Sequence, residues 1–125
     1  MKNTLLLIAI MAWPVSASAE EAKPMSGLDF MIEAPNLVDQ RVRIEGHRVD
    51  GLSFQGGYYR LEGGSALLRP PWRDREDFRA LIPTCENQWF DSPEQEARCI
   101  VTIEATVAEE NSGYPVLQDV DFILE

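Results

Sequence analysis

Two cysteines, one histidine, a cluster of arginines and a scatter of carboxylates are the side chains in this 125-residue chain that invite a chemical reading. Cys85 and Cys99 do not form the C-x-x-C of a redox pair. A zinc site would need more Cys or His, and His47 is the only histidine. A single structural disulfide remains, and closing a loop of about 15 residues stabilises by about 3 kcal/mol in the chain-entropy model. Glu109, Glu110, Asp119 and Asp121 gather late in the chain, but no D-x-D-x-D-G loop orders them for calcium. No metal and no other cofactor is expected. Arg69, Trp72, Arg73, Arg75 and Arg79 form the one basic cluster. It suits an anionic partner, yet Asp74, Glu76 and Asp77 interleave, which reads as a solvated helix with ordinary i,i+4 pairs. No G-x-S-x-G, H-E-x-x-H, P-loop or dinucleotide-binding glycine run occurs. His47 lies opposite Ile44 in strand alternation, which reads as exposed rather than catalytic. No catalytic residue is expected, and the chain reads as a non-enzyme.

Charge and address bound the rest. The chain has 11 Lys+Arg against 21 Asp+Glu, a net charge of −10. Phosphate affinity rests on Lys and Arg displacing counterions, so this balance weighs against a nucleic-acid partner. Met1-Lys2-Asn3, the apolar run Leu5–Val15 and Ser16-Ala17-Ser18-Ala19 are the charged start, apolar core and small-residue end of a secretory signal. The apolar core is much shorter than the about 20 residues of a membrane span. Residues 1–19 are therefore expected to be cleaved, leaving no stable membrane anchor and a periplasmic or secreted protein. An oxidising compartment favours the disulfide.

The elements that must position these residues follow from periodicity. Residues 20–35 read as an N-terminal arm, loose at its polar start, and 36–125 as one domain. Arg41–Val49 alternates Val42, Ile44 and Gly46 against Arg43, Glu45 and His47, a first strand with a bulge-prone glycine. Leu52 and Phe54 then fall on an exposed loop. Tyr58–Leu61 and Ser65–Arg69 are the second and third strands, closed by Pro70-Pro71. Arg73–Ile82 is a helix with Asp74 as N-cap, a stripe of Phe78, Leu81 and Ile82, and Pro83 as terminator. Trp72 is placed to cover an open end of the fold. Thr84–Arg98 reads as irregular. Cys99–Ala108 turns Cys99, Val101, Ile103, Ala105 and Val107 to one face. A loop at Glu109–Gly113 leads to Val116–Leu124, with Val116, Gln118, Val120, Phe122 and Leu124 sharing a face. Val42-Arg43-Ile44-Glu45-Gly46 is echoed by Val101-Thr102-Ile103-Glu104-Ala105, which suggests equivalent roles for strands one and four.

Three strands, one helix and two strands make a mainly β domain. Gly46 inside strand one, the helix in its slot and the hairpin near Gly113 resemble the OB-fold, a five-stranded Greek-key barrel with one helix between strands 3 and 4. The chain is also similar to small secreted bacterial OB-fold domains of the tRNA-anti-like kind, where two cysteines frame the crossover as Cys85 and Cys99 would. A small β-sandwich or an SH3-like barrel is the competing architecture. The resemblance implies a binding face on strands two and three with its flanking loops. That face would hold Phe54, Tyr58, Arg60, Arg69 and Tyr114, with Tyr59 and Leu61 inward. Aromatics beside Arg suit stacking on bases, sugars or peptide side chains. Two functions follow. One is a binding or interaction module for a peptide, an envelope protein or a small ligand. The other is a single-stranded nucleic-acid or oligosaccharide binder.

Overall fold

Alternating apolar residues fold the chain into a closed barrel. The computed structural model describes residues 21–124, so residues 1–19, expected to be a cleaved signal, lie outside the described residues. The elements are β1 (Lys23–Met25), α1 (Gly27–Glu33), a 3-10 turn (Ala34–Asn36), β2 (Arg41–Ser53), β3 (Gly56–Leu61), β4 (Gly64–Leu68), α2 (Arg75–Cys85), α3 (Pro93–Arg98), β5 (Ile100–Asn111) and β6 (Tyr114–Ile123). The sheet order is β1-β2-β3-β4-β6-β5, and a β2–β5 pairing closes the last five into a barrel. Neighbours are antiparallel except two parallel pairs, β1 with β2 and β4 with β6. This is an OB-like barrel, with α2 between its third and fourth strands as expected. The echoed segments are direct ladder partners, Ile44 opposite Ile103 and Arg43 opposite Glu104.

Val42, Ile44, Val101, Ile103, Val107, Val120 and Phe122 are buried together, with Phe78 and Leu81 of α2 packed on them. Tyr59 is fully buried at the centre. Its hydroxyl lies 2.7 Å from the Val101 carbonyl oxygen and 2.9 Å from that of Ile44. Those carbonyls flank the expected bulge, where the β2–β5 register shifts between Ile44 and His47 and Gly46 takes φ +69°. Burial raises the pKa of the Tyr59 hydroxyl, which therefore stays protonated as a donor.

Several expectations are corrected. The arm is not loose: β1 adds in parallel to β2, Ser26 caps α1 by accepting from the Asp29 amide, and Phe30 is fully buried. One aromatic anchor outweighs the polar flanks. β2 runs four residues past Val49, and Leu52 is buried rather than exposed, because a second register shift follows Asp50. Pro83 sits inside α2 instead of ending it, and the helix continues to Cys85. The stretch after it contains α3, with Ser92 as N-cap and Pro93 at the first helical position. The last hairpin turns on two residues, Ser112 (φ +56°) and Gly113 (φ +86°), which lengthens β5 to Asn111. In β6 the single face fails. Asp119 takes φ +53° at a register shift, so Leu117, Val120 and Phe122 enter the core while Gln118 does not. The Arg41 guanidinium holds this bulge, donating to the carbonyls of Asp119 (2.9 Å) and Glu104 (3.3 Å).

Candidate binding site

Tyr58 and Arg60 project outward from β3, as their parity with buried Tyr59 and Leu61 demands. The Arg60 guanidinium lies over the Tyr58 ring, 4.6 Å from its centroid. Its Nε and one terminal nitrogen donate to the two carboxylate oxygens of Asp50, each at 2.8 Å, and the other donates to Ser65 Oγ at 3.0 Å. Arg48 donates to Asp50 (3.2 Å) and to Glu96 of α3 (3.2 Å), and stands over the Phe90 ring. Asp50 is fully buried. Hydrogen bonding to this carboxylate raises the Arg60 pKa still further. Arg60 is thus tied into the fold through Asp50 and Ser65. Residues 87–98 lie across this part of the surface, since the Gly51 amide donates to the Asn87 carbonyl and α3 meets Arg48. The Cys85–Cys99 disulfide, with Cα atoms 5.7 Å apart, fixes both ends of that crossover.

The other expected ligand contacts part company. Tyr58 and Arg69 share a shallow groove of about 330 Å³ with Leu67 and Asn111. Tyr114 is exposed at the start of β6, opposite Asn111 in the hairpin. Phe54 is 74% exposed and belongs elsewhere, edge-on to Phe78 of α2 at 5.8 Å. His47 is half-buried rather than exposed, edge-on to Tyr59 and hydrogen-bonded through Nδ1 to the Glu45 carbonyl.

Phe54 marks the larger site. After β4, residues 69–73 run as a strap along β6. The Arg69 amide donates to Leu117, Val120 to Pro71, and Arg73 to Val120. Trp72 stacks on Phe78 at 4.4 Å and on Phe122 at 5.8 Å, covering that end of the core as expected. Its indole N–H is buried and has no acceptor among the described residues. α2 starts at Asp74, whose carboxylate accepts from the amides of Glu76 and Asp77. Phe78, Leu81 and Cys85 face the core, while Arg75, Arg79, Ile82 and Pro83 face a cleft. That cleft, about 720 Å³, lies between α2, the strap and Phe54, and Pro70, Pro71 and Trp72 complete its walls. Its volume is in the range of small-ligand sites.

The expected i,i+4 pairing of the arginine cluster is not what α2 does. Among the described residues, Arg75 and Arg79 form no ion pair, and both are exposed. Two of the interleaved acids, Asp74 and Asp77, are engaged elsewhere. Asp74 caps the helix, and carboxylate oxygens of Asp74, Asp77 and Asp121 lie within 4.8 Å of one another. Desolvation, then neighbouring carboxylates, raise the pKa of Asp77. Desolvation and Glu104 raise that of Asp121, against the opposing pull of Arg41 and Arg73. Arg73 pairs with Asp119 instead. The arginines and Trp72 stood out as a cluster in the sequence. What the sequence hid was that Phe54, some twenty residues earlier, closes the same cleft.

No family model and no curated protein matches the sequence. Among solved structures, the chain is similar in backbone to a putative aspartyl-tRNA synthetase from Leishmania major Friedlin, with a TM-score of 0.45 and 17% identity. The match covers 85% of this chain and 21% of that one, so this chain spans about a fifth of its length. The OB-like assignment rests on the strand order of the barrel itself. Among the described residues, no helix is long and apolar enough to cross a membrane.

Proposed function

We propose that this chain is a non-catalytic binding module of the cell envelope. Residues 1–19 direct it to the periplasm, and the cleft between α2, the strap and Phe54 receives a segment of a partner protein. The observation that carries this reading is the cleft. It joins an aromatic and proline-lined wall to two arginines without ion-pair partners among the described residues, on a chain of charge −10. Aromatic and arginine side chains are the residues that anchor protein interfaces. The absence of a recognisable catalytic motif and the structural ties of His47 favour binding over catalysis. A photocrosslinking residue at position 54 tests this in intact cells, with position 100, exposed and outside the cleft, as control. The expected result is a discrete envelope-protein adduct from position 54 alone. Equal labelling from both positions, or none, would overturn the reading.

The groove of Tyr58, Leu67, Arg69 and Asn111 supports a second reading, single-stranded nucleic acid or oligosaccharide stacked on Tyr58. For nucleic acid, steeply salt-dependent oligonucleotide binding would be its mark.

A further inference from the structure

We infer that the cleft selects a short acidic peptide segment, an apolar or aromatic run flanked by two carboxylates that meet Arg75 and Arg79. This rests on the proposed binding role of the cleft and adds the chemistry of its ligand. Three observations lead to it. The floor and walls, Trp72, Phe78, Ile82 and the three prolines, present hydrocarbon and ring faces. They desolvate apolar side chains and offer them no charge. Arg75 and Arg79 line the same cleft and stand one helical turn apart, so their side chains emerge as neighbours. Neither has an ion-pair partner among the described residues, a state shared by Arg69 and Arg98, neither of which lines this cleft. A guanidinium is a rigid fork matched to a carboxylate, and two of them set the number and spacing of the acids.

The net charge of −10 sharpens the choice. A polyanion would be repelled by the bulk of the molecule, and two arginines release too few counterions to hold a nucleic-acid strand. The favoured ligand therefore carries its acids locally, beside the apolar run that fills the cleft.

The test is selection of a displayed random dodecapeptide library on the disulfide-bonded exported protein, followed by fluorescence anisotropy with the best peptide. The expected result is enrichment of an apolar or aromatic core flanked by Asp or Glu. Binding should weaken about tenfold or more in the Arg75→Glu/Arg79→Glu variant, and similarly when the peptide's acids become amides. Both arginines are exposed, so the variant should melt within a few degrees of the parent. Enrichment of neutral or basic peptides that bind the double variant equally well would overturn the acidic inference and leave the cleft as a binding site. Peptides that bind a Phe54→Asp variant undiminished would overturn the cleft reading itself, as would the absence of any enriched peptide. Displacement of the peptide by an equal concentration of oligothymidylate would overturn the peptide inference in favour of a nucleic acid.

Discussion

At the scale of single residues, Asp50 is the decisive side chain. It is fully buried, and the two arginines that grip it are directly opposite each other in the β2–β3 ladder. Facing like charges repel unless a carboxylate lies between them. Asp50→Asn should therefore cost about 3 kcal/mol in urea unfolding, the lower end of the range for breaking a buried pair, because Arg48 and Arg60 remain about a third exposed. A cost below about 0.5 kcal/mol would mean the network is ornamental. The outward parity of Tyr58 and Arg60 was legible from alternation alone. The fate of Arg60 was not, because Asp50-Gly51 looks like turn chemistry, and only the register shift beyond Asp50 shows it to be ladder. Asp121 makes the opposite prediction. Its folded pKa lies above the ordinary 3.8, mainly through burial, so the folded state binds its proton more readily than the unfolded chain. Stability from this group is present at low pH and is lost as pH rises through the folded pKa. Asp121→Asn should raise the melting temperature at pH 7, and the gain should vanish as the pH is lowered to 3. A variant less stable than the parent at pH 7 would show that its attraction to Arg41 and Arg73 outweighs burial.

At the scale of elements, the five barrel strands and α2 were readable because each has a run of the right period, whereas the three residues of β1 are too few. The two short helices were not. α1 has seven residues and α3 six, too few for a helical stripe to stand out. The Ser92-Pro93-x-Gln95 start of α3 was nevertheless a visible cap signal. Ser92 Oγ accepts from the Gln95 amide, and the Gln95 side chain accepts from that of Asp91. A bulge is harder still, since one inserted residue at Asp119 reverses every later inward position of β6. The crossover from Cys85 to Cys99 depends on its covalent tie. Replacing both cysteines by Ala should cost about 3 kcal/mol by chain entropy. It should also speed amide exchange over residues 86–98, while Ile103 and Val107 in β5 stay protected. Unchanged exchange in the crossover would mean that α3, Arg48 and Phe90 hold it without the disulfide.

At the scale of the whole molecule, the barrel closes unevenly. β5 and β6 share seven aligned pairs and β2 and β5 six, but β4 and β6 share only two, Leu67 with Val116 and Leu68 with Leu117. The strap adds three backbone hydrogen bonds along the same line. Here the site and the closure coincide, for the strap is also a wall of the cleft. Alternation pointed to a mainly β domain, and the order of strands and helix to its OB-like form. Nothing in a linear pattern tells which seam is thin, because seam length is set by where the parallel crossover lands. Anything held between the strap and α2 should protect the amides of Arg69, Arg73 and Val120 from exchange more than those of the β2–β5 ladder. Uniform protection, or none at these three, would show that the seam does not feel the site.

The thin seam gives the barrel a zip with one end. A pull on the strap loads the shortest strand pairing of the barrel, while a pull on β5 is shared between two long ladders. Under tension the strap side should part first, and an occupied cleft would act as a rivet across that join. A partner gripping the cleft would thus tighten the barrel at its thinnest seam.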